Sequence, residues 1–339
     1  MGYYRMDNII SVIVITYNQE NTIGRALDSI LIQKCHLPIE IELRDDCSND
    51  ATDAVCKRYA EKYPSIIRYR QNKQNKGIID NYFDTLLECR GKYIADCAGD
   101  DFWIDPLKLE KEVQILEKHP DVTLVHTAWN NYDEELGKVV SVSHSELKNE
   151  ITDGHEMMEK VFMQNGISAV HLCTSLYRKE IFLNAYNDYP HFFKNKEYNT
   201  EDLQLIFFMA KAGNIAYIPT PTLNYSVNHI SASNTLNEEK QFLFMEGINQ
   251  LCWDLSQKFQ IKNKAIINHF KIKIFALYMH AFRSKNKELL NRAKQKQKEW
   301  EINDNIKLVI TKFIMSNSIT WNFMLRIRKV FCLLKRCFS

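Results

Sequence analysis

Short β-branched runs alternate with helix-period segments along the first two thirds of the chain, and that alternation restricts the fold more than any other feature. Ile9 to Ile15 reads Ile-Ile-Ser-Val-Ile-Val-Ile, a run expected of a strand buried on both faces. Ile23, Ala26, Leu27, Ile30 and Leu31 then recur at the spacing of one helix face. A strand over Ile39 to Leu43, a helix opened by Asp50 or Thr52, a strand over Ile66 to Tyr69 and a helix from about Asp80 to Cys89 continue the pattern. Tyr93-Ile94-Ala95 gives a further strand, and Leu109, Val113 and Leu116 mark a helix between Pro106 and Pro120. Val122 to His126, Val170 to Leu176 and Ile215 to Ile218 are strand-like, and Leu203 to Ala212 is a strongly apolar helix. Residues 130–155 are expected to be an irregular excursion, and Tyr225 to Ser233 a polar loop. The fold class is therefore α/β, with a mainly parallel central sheet covered by helices.

From about residue 238 strands vanish, long helix-period segments take over and lysine accumulates. Residues 262–339 carry 18 Lys and Arg against 4 Asp and Glu, so the chain's net +2 is an acidic body joined to a basic tail. The expected division is a domain over residues 1–235 and a helical basic region over 236–339. Nine cysteines without a Cys-x-x-Cys pair argue against a disulfide framework, and no apolar run is long enough to span a bilayer. A reduced, cytoplasmic setting is expected. In the last segment Phe323, Ile327, Val330, Phe331, Leu334 and Phe338 share one helical face, with Arg328, Lys329, Lys335 and Arg336 off it. Apolar on one side and cationic on the other is the composition of a helix lying on anionic lipid, so a peripheral place at the inner face of the cell membrane is expected. No nucleic-acid motif accompanies the charge.

Three acidic pairs fall at element ends: Asp45/Asp46, Asp100/Asp101 and Glu201/Asp202. Aspartate is common at turns and helix starts, because its carboxylate accepts backbone N–H bonds. Two adjacent carboxylates at the end of a buried strand are less ordinary. Their repulsion costs energy unless a cation offsets it, and ligands bind open α/β sheets at this edge.

Taken in order, Ser11-Val-Ile-Val-Ile-Thr-Tyr-Asn18, Asp45-Asp-Cys-Ser-Asn-Asp50, Asn75-Lys-Gly77, Gly91-Lys-Tyr-Ile94 and Gly99-Asp-Asp-Phe-Trp103 resemble the motifs of family 2 glycosyltransferases over roughly residues 8–230. The resemblance implies the GT-A fold and inverting transfer of a sugar from a nucleotide donor. It implies that Thr16, Tyr17 and Asn18 flank the nucleotide and that Asp46, or alternatively Asp45, accepts the uracil N–H, which favours a UDP-sugar. Asn75 and Gly77 join the donor-binding set. Asp100 would lie near ribose and metal, and Asp101 would ligate Mg²⁺ or Mn²⁺ on the diphosphate. Asp202, with Glu201 as the alternative, would be the base that deprotonates the acceptor hydroxyl. His229 is a further candidate metal ligand. Trp103, His171 and Arg178 lie where acceptor contacts are expected.

One departure stands out. Many relatives carry Asp-x-Asp-Asp, whereas this chain reads Ala98-Gly99-Asp100-Asp101. The missing carboxylate motivates one rival, a non-catalytic protein that binds sugar nucleotides. A nucleotidyltransferase is a second rival, but Thr16-Tyr-Asn-Gln-Glu20 is not the Gly-rich basic phosphate loop it would need. The expected activity is hexosyl or N-acetylhexosaminyl transfer to a saccharide or glycolipid acceptor. Cell-surface polysaccharide synthesis is the setting the resemblance implies.

Overall fold

The computed structural model describes residues 7–144, 150–163, 170–227 and 237–337, with side chains described through Ile327. Two compact units, residues 1–229 and 230–339, divide the chain.

The first unit begins with the alternation expected of it: β1 (Asp7–Thr16), α1 (Ile23–Leu31), β2 (Ile39–Asp45), α2 (Thr52–Lys62), β3 (Ile67–Gln71), α3 (Ile78–Glu88) and β4 (Gly91–Asp96). β1 lies between β2 and β4, parallel to both, and β3 extends the sheet beyond β2. Ile10, Val12 and Val14 are buried in the core that α1 covers with Ile23, Ala26, Leu27 and Ile30. The register pairs Thr16 with Asp45 and Ile13 with Asp96, so β1, β2 and β4 all end at one edge. The Asp45/Asp46 and Asp100/Asp101 loops both leave from that edge.

The second half of the unit departs from the sequence reading. Phe102 and Trp103 form a short strand, β5, before α4 (Lys108–Lys118). The next strand, β6 (Val122–Asp133), runs past His126 and turns into a hairpin with β7 (Lys138–Ser143), where an irregular excursion was expected. The short β8 (Ile151–Thr152) and α5 (Gly154–Phe162) follow. Leu172–Thr174 is a single 3₁₀ turn, and the strand expected near Val170 begins at Ser175. That strand, β9 (Ser175–Arg178), runs antiparallel between β4 and β6. After α6 (Lys179–Asp188), α7 (Pro190–Lys194) and α8 (Asp202–Ala212), the last strand, β10 (Asn214–Val227), runs through Pro219 and Pro221 instead of ending at Ile218. The register against β6 shifts on both sides of Pro221, because a proline lacks the N–H a regular ladder needs. The resumed strand carries Leu223 to Val227 to the acidic edge, where a polar loop was expected.

The second unit is helical: α9 (Glu238–Lys258), α10 (Lys264–Ser284), α11 (Lys287–Glu299), α12 (Ile306–Ser316) and α13 (Ser318–Cys337). Asparagines at 237, 263, 286 and 305 cap the first four of these helices, each side chain accepting backbone N–H bonds of the first turn. Phe270, Ile274, Leu277 and Tyr278 of α10 are buried, as are Trp300 and Trp321. Among the described residues no helix is long and apolar enough to cross a membrane.

Candidate active site

The loop after β1 is closed against the loop after β2. Asn18, with a left-handed φ of 53°, donates its N–H to Ser48 Oγ at 2.9 Å, and its Oδ1 accepts the Asn49 N–H at 2.8 Å. Thr16 is buried and bonds Gln19 through its hydroxyl, while Tyr17 stands 44% exposed at the rim. Asp45 is fully enclosed: Oδ1 accepts from the Ser48 N–H and hydroxyl, and Oδ2 accepts Gln71 Nε2 at 2.9 Å. Asp45 therefore ties the loop together and presents nothing to a nucleotide, contrary to its place in the donor-binding set. Asp46 reaches the other way. Its Oδ1 accepts Asn72 Nδ2 at 2.8 Å and the Lys76 N–H at 2.9 Å, and Oδ2 accepts the Gly77 N–H at 3.0 Å. Oδ2 keeps capacity for one more donor. Asn75 Oδ1 shares the Gly77 N–H at 3.0 Å, and Gly77 opens α3 at φ 80°, a conformation that favours glycine.

The Asp100/Asp101 loop is folded onto the same wall. A Cβ at Gly99 would meet the side chains of Gln19 and Thr16, which would have to move to admit it. Asp101 is buried, and its Oδ1 accepts the Ser226 N–H at 2.9 Å. Burial, and then the charge of Asp100, push its carboxyl well above the usual range. Three residues absent from the sequence reading hold this loop. Arg25 of α1 donates to the Asp100 carbonyl at 3.2 Å and forms a two-point pair with Glu134 from the β6–β7 hairpin. The Ser226 hydroxyl lies 2.6 Å from both the Asp100 carbonyl and Glu134 Oε1. The Arg25 guanidinium also sits 4.1 Å above the Phe102 ring.

A cavity of ≈ 190 Å³ opens beside this loop. Ile13 and Ile15 of β1, Tyr82 of α3, Asp96 to Ala98, His171, Cys173, Glu201 and Asp202 line it. The acidic start of α8 thus faces the strand ends, and Cys173, whose thiol contacts Asp101, joins the cavity to the Asp100/Asp101 loop. Burial, followed by the charge of Asp202, pushes Glu201 up to about 8. Asp202 is also raised by burial, but the Thr200 hydroxyl and backbone N–H groups at the helix start favour its ionised form. Burial thus favours the neutral form of both carboxyls, and at Asp202 the Thr200 hydroxyl and the helix-start N–H groups act against it.

Asp96, which ends β4, has no role among the sequence expectations. It is buried, with Oδ1 accepting the Tyr82 hydroxyl at 2.8 Å and Oδ2 unpartnered. Burial raises it to about 7. An acid within the otherwise apolar Tyr93-Ile-Ala-Asp-Cys-Ala98 was the available signal.

The three residues expected near an acceptor separate. His171 lines the cavity, its ring packed against Trp129 and Tyr225, and burial pushes it down to about 4, so it is neutral at pH 7. Trp103, 2% exposed, is core: its indole N–H donates to the Cys173 carbonyl at 3.0 Å. Arg178 pairs in register with Tyr93, early in β4 and so at the far edge of the sheet. Its guanidinium donates to the carbonyls of Leu116 and His119 at the C-terminal end of α4 and of Val122 at the start of β6. Neither Trp103 nor Arg178 is placed to touch a substrate. His229 lies outside the described residues.

The donor chemistry of the acidic loop fits a hard divalent cation. Asp100 and Asp101 offer carboxylate oxygens only, and the repulsion that raises Asp101 is what a cation would relieve. Two carboxylates make an incomplete shell, leaving positions for diphosphate oxygens and water. A grouping of three metal-type ligands among the described residues lies elsewhere, at Cys35, His36 and Glu110, where His36 Nδ1 is 2.8 Å from Glu110 Oε2.

The sequence model of glycosyl transferase family 2 matches residues 11–184, just over half of the chain. The chain belongs to glycosyl transferase family 2. An uncharacterized protein of Mycobacterium tuberculosis is 43% identical over 115 residues, covering 34% of this chain and 33% of that one. The match thus spans about a third of that relative's length. Among solved structures, S. aureus TarS 1–349 in complex with UDP-GlcNAc superimposes with a TM-score of 0.52 at 18% identity, covering 86% of this chain and 92% of that one. The mannosyltransferase PcManGT from Pyrobaculum calidifontis, in complex with GDP-Man and Mn²⁺, gives 0.51 at 16% identity, covering 96% and 85%. These likenesses establish the family's GT-A fold for this chain.

Proposed function

We propose that the chain is an inverting glycosyltransferase that moves a sugar from a nucleotide donor, probed first as a UDP-sugar, to a saccharide or glycolipid acceptor. The observation that carries this reading is the cavity that sets Asp202 and Glu201 against the ends of β1 and β4, next to the Asp100/Asp101 loop. Ionised Asp202 takes the proton of the acceptor hydroxyl, whose oxygen bonds the anomeric carbon as the bond to the nucleotide diphosphate breaks. Protonated Glu201 keeps a second negative charge out of the pair. Thr16, Tyr17, Asn18, Asn75 and Gly77 wall the donor side, with Asp46 Oδ2 available to a uracil N–H and neutral His171 on the acceptor side. Mg²⁺ or Mn²⁺, held by Asp101 and Asp100, would offset the charge of the departing diphosphate. The uridine preference rests on Asp46 alone, since the two structural neighbours are complexes with different bases.

The transferred group belongs on this reading to the hexose or N-acetylhexosamine class, and the setting is cell-surface polysaccharide synthesis. Residues 1–235 form the catalytic domain. Residues 236–339 form a basic region that holds the protein at the inner, anionic face of the cell membrane. Charge supports that last step, because no acid follows Asp304.

Ala98 favours one second reading, a sugar-nucleotide-binding protein without turnover. The same experiment separates the two. In Asp202→Asn, transfer is expected to fall by ~10²–10⁴-fold while donor affinity, read by calorimetry, stays near wild type. Turnover retained in that variant moves the base elsewhere. No turnover in the wild-type protein with any donor leaves the binding-only reading.

A further inference from the structure

Helix α12 is apolar on two opposite sides. Leu308 and Met315 form its buried ridge, whereas Ile306, Val309, Ile310 and Phe313 point outward and are 51–80% exposed. Those four fall at i, i+3, i+4 and i+7, the spacing of one continuous stripe. Exposed apolar side chains continue after the helix end. Ile319 and Phe323, on the first turns of α13, are 74% and 62% exposed. The indole of Trp321 between them is buried and donates to the Phe282 carbonyl at 2.9 Å, so this part of α13 is anchored to α10. Six large apolar side chains left in water on consecutive helices are not what a soluble surface tolerates; such patches mark an interaction face.

The charges around the stripe say which partner it suits. At 100° per residue Lys307 and Lys312 fall on the two flanks of α12, between its buried ridge and its exposed stripe, and of the two Lys312 is ion-paired with Asp304. Arg326 is exposed one turn beyond Phe323. Residues 262–339 carry 18 basic side chains against 4 acidic ones. A protein partner of ordinary composition needs no such excess. An anionic bilayer does, because it offers an apolar layer beneath a plane of phosphates.

We propose that the outer face of α12, continued by the start of α13, is the surface that enters an anionic lipid bilayer. Ile306, Val309, Ile310 and Phe313 lie among the acyl chains just below the headgroups, and Lys307 and Arg326 meet lipid phosphates. The proposal rests on the membrane reading of the tail given above. It moves the apolar contact from the last turns of α13 to α12.

Sedimentation of the full-length protein with vesicles tests it. Vesicles of equal parts phosphatidylcholine and phosphatidylglycerol are expected to pellet the wild-type protein, and pure phosphatidylcholine to leave it in solution. The double variant V309D/F313D, with its fold checked by circular dichroism, is expected to bind the anionic vesicles at least about tenfold more weakly. F313L, which keeps the apolar volume, is expected to bind as wild type does. Because both sites are exposed, loss of fold is not the expected route; if V309D/F313D fails to fold, V309S/F313S replaces it under the same criterion. Undiminished binding by the double variant overturns the assignment to α12. If a chain ending at Leu325 is then released from the vesicles, the tail reading survives without it. Wild-type protein that ignores anionic vesicles removes both. Wild-type protein that ignores vesicles, and forms a dimer in light scattering that V309D/F313D abolishes, makes the stripe a self-association face.

Discussion

Asp45/Asp46 and Asp100/Asp101 look alike in sequence, two adjacent acids at the end of a parallel strand, yet the fold treats them oppositely. Around Asp45 and Asp46 every carboxylate oxygen accepts at least one donor, and those donors come from the loops that enclose them. Asp101 instead has a single backbone donor, with burial and a neighbouring charge acting against its ionisation. The first pair is part of the wall. The second is held in an unfavourable state that a bound cation would relieve. Glu201/Asp202 resembles the second pair, since burial raises both carboxyls, with the Thr200 hydroxyl acting against the rise at Asp202. Neighbours that look equivalent in a motif differ by what the rest of the chain brings to them.

The largest effect should come from removing the strained acid. In Asp101→Ala, metal-dependent donor turnover is expected to fall by more than the ~10–100-fold typical of losing a group that supports a metal ligand, with thermal stability unchanged or raised. Retained metal-dependent turnover would mean that the loop is wall, like its counterpart. Asp45→Asn should do the reverse. It puts an amide where Ser48 and Gln71 already donate, so a loss of about 1–3 kcal/mol in unfolding free energy is expected, with kcat nearly intact. A thermal melt beside a kinetic assay reads both.

Glu201 sharpens the comparison through pH. Its folded value of about 8 lies above the ordinary 4.5, so the folded state holds the proton more tightly. The stability this contributes is present below about pH 4.5 and is lost as pH rises towards 8. Glu201→Gln is expected to flatten that part of the fall in melting temperature and to retain transfer. Glu42, Asp96 and Glu112, each raised to about 7, act in the same direction, so the difference from wild type is the informative quantity. Identical melting curves over this window would show that Glu201 titrates normally. The smallest catalytic effect should come from Arg178→Met. Two carbonyls at the end of α4 and one at the start of β6 lose their donor, at a cost of about 1–3 kcal/mol, while activity per folded molecule stays near wild type.

The sequence displayed the fold best where one residue type repeats a local requirement. The Ile9–Ile15 run demands burial on both faces, and α1 announces its inner face through Ile23, Ala26, Leu27 and Ile30. It concealed β10, because Pro219 and Pro221 end a strand by any local rule, and only pairing with β6 carries the chain past them. The site divides in the same way. Acids at strand ends were visible, since their positions follow from local pattern. The contacts of Arg25, Glu134 and Ser226 were not, because Arg25 meets a residue 109 positions away and Ser226 one 125 positions away. Arg178 and Trp103 misled for the matching reason. A cationic or aromatic side chain near an acidic motif suits substrate contact, but register sends Arg178 to the far edge and packing encloses Trp103.

The most direct test of the account is a panel of nucleotide sugars incubated with the full-length protein, with and without Mn²⁺, and assayed for release of the free nucleotide. It requires no knowledge of the acceptor, since water can replace the acceptor hydroxyl. The expected result is metal-dependent consumption of a UDP-sugar, stopped by chelation and absent from Asp101→Ala. Every donor surviving intact with either Mn²⁺ or Mg²⁺, in protein that nevertheless binds nucleotide, would contradict it and leave a folded but non-catalytic site.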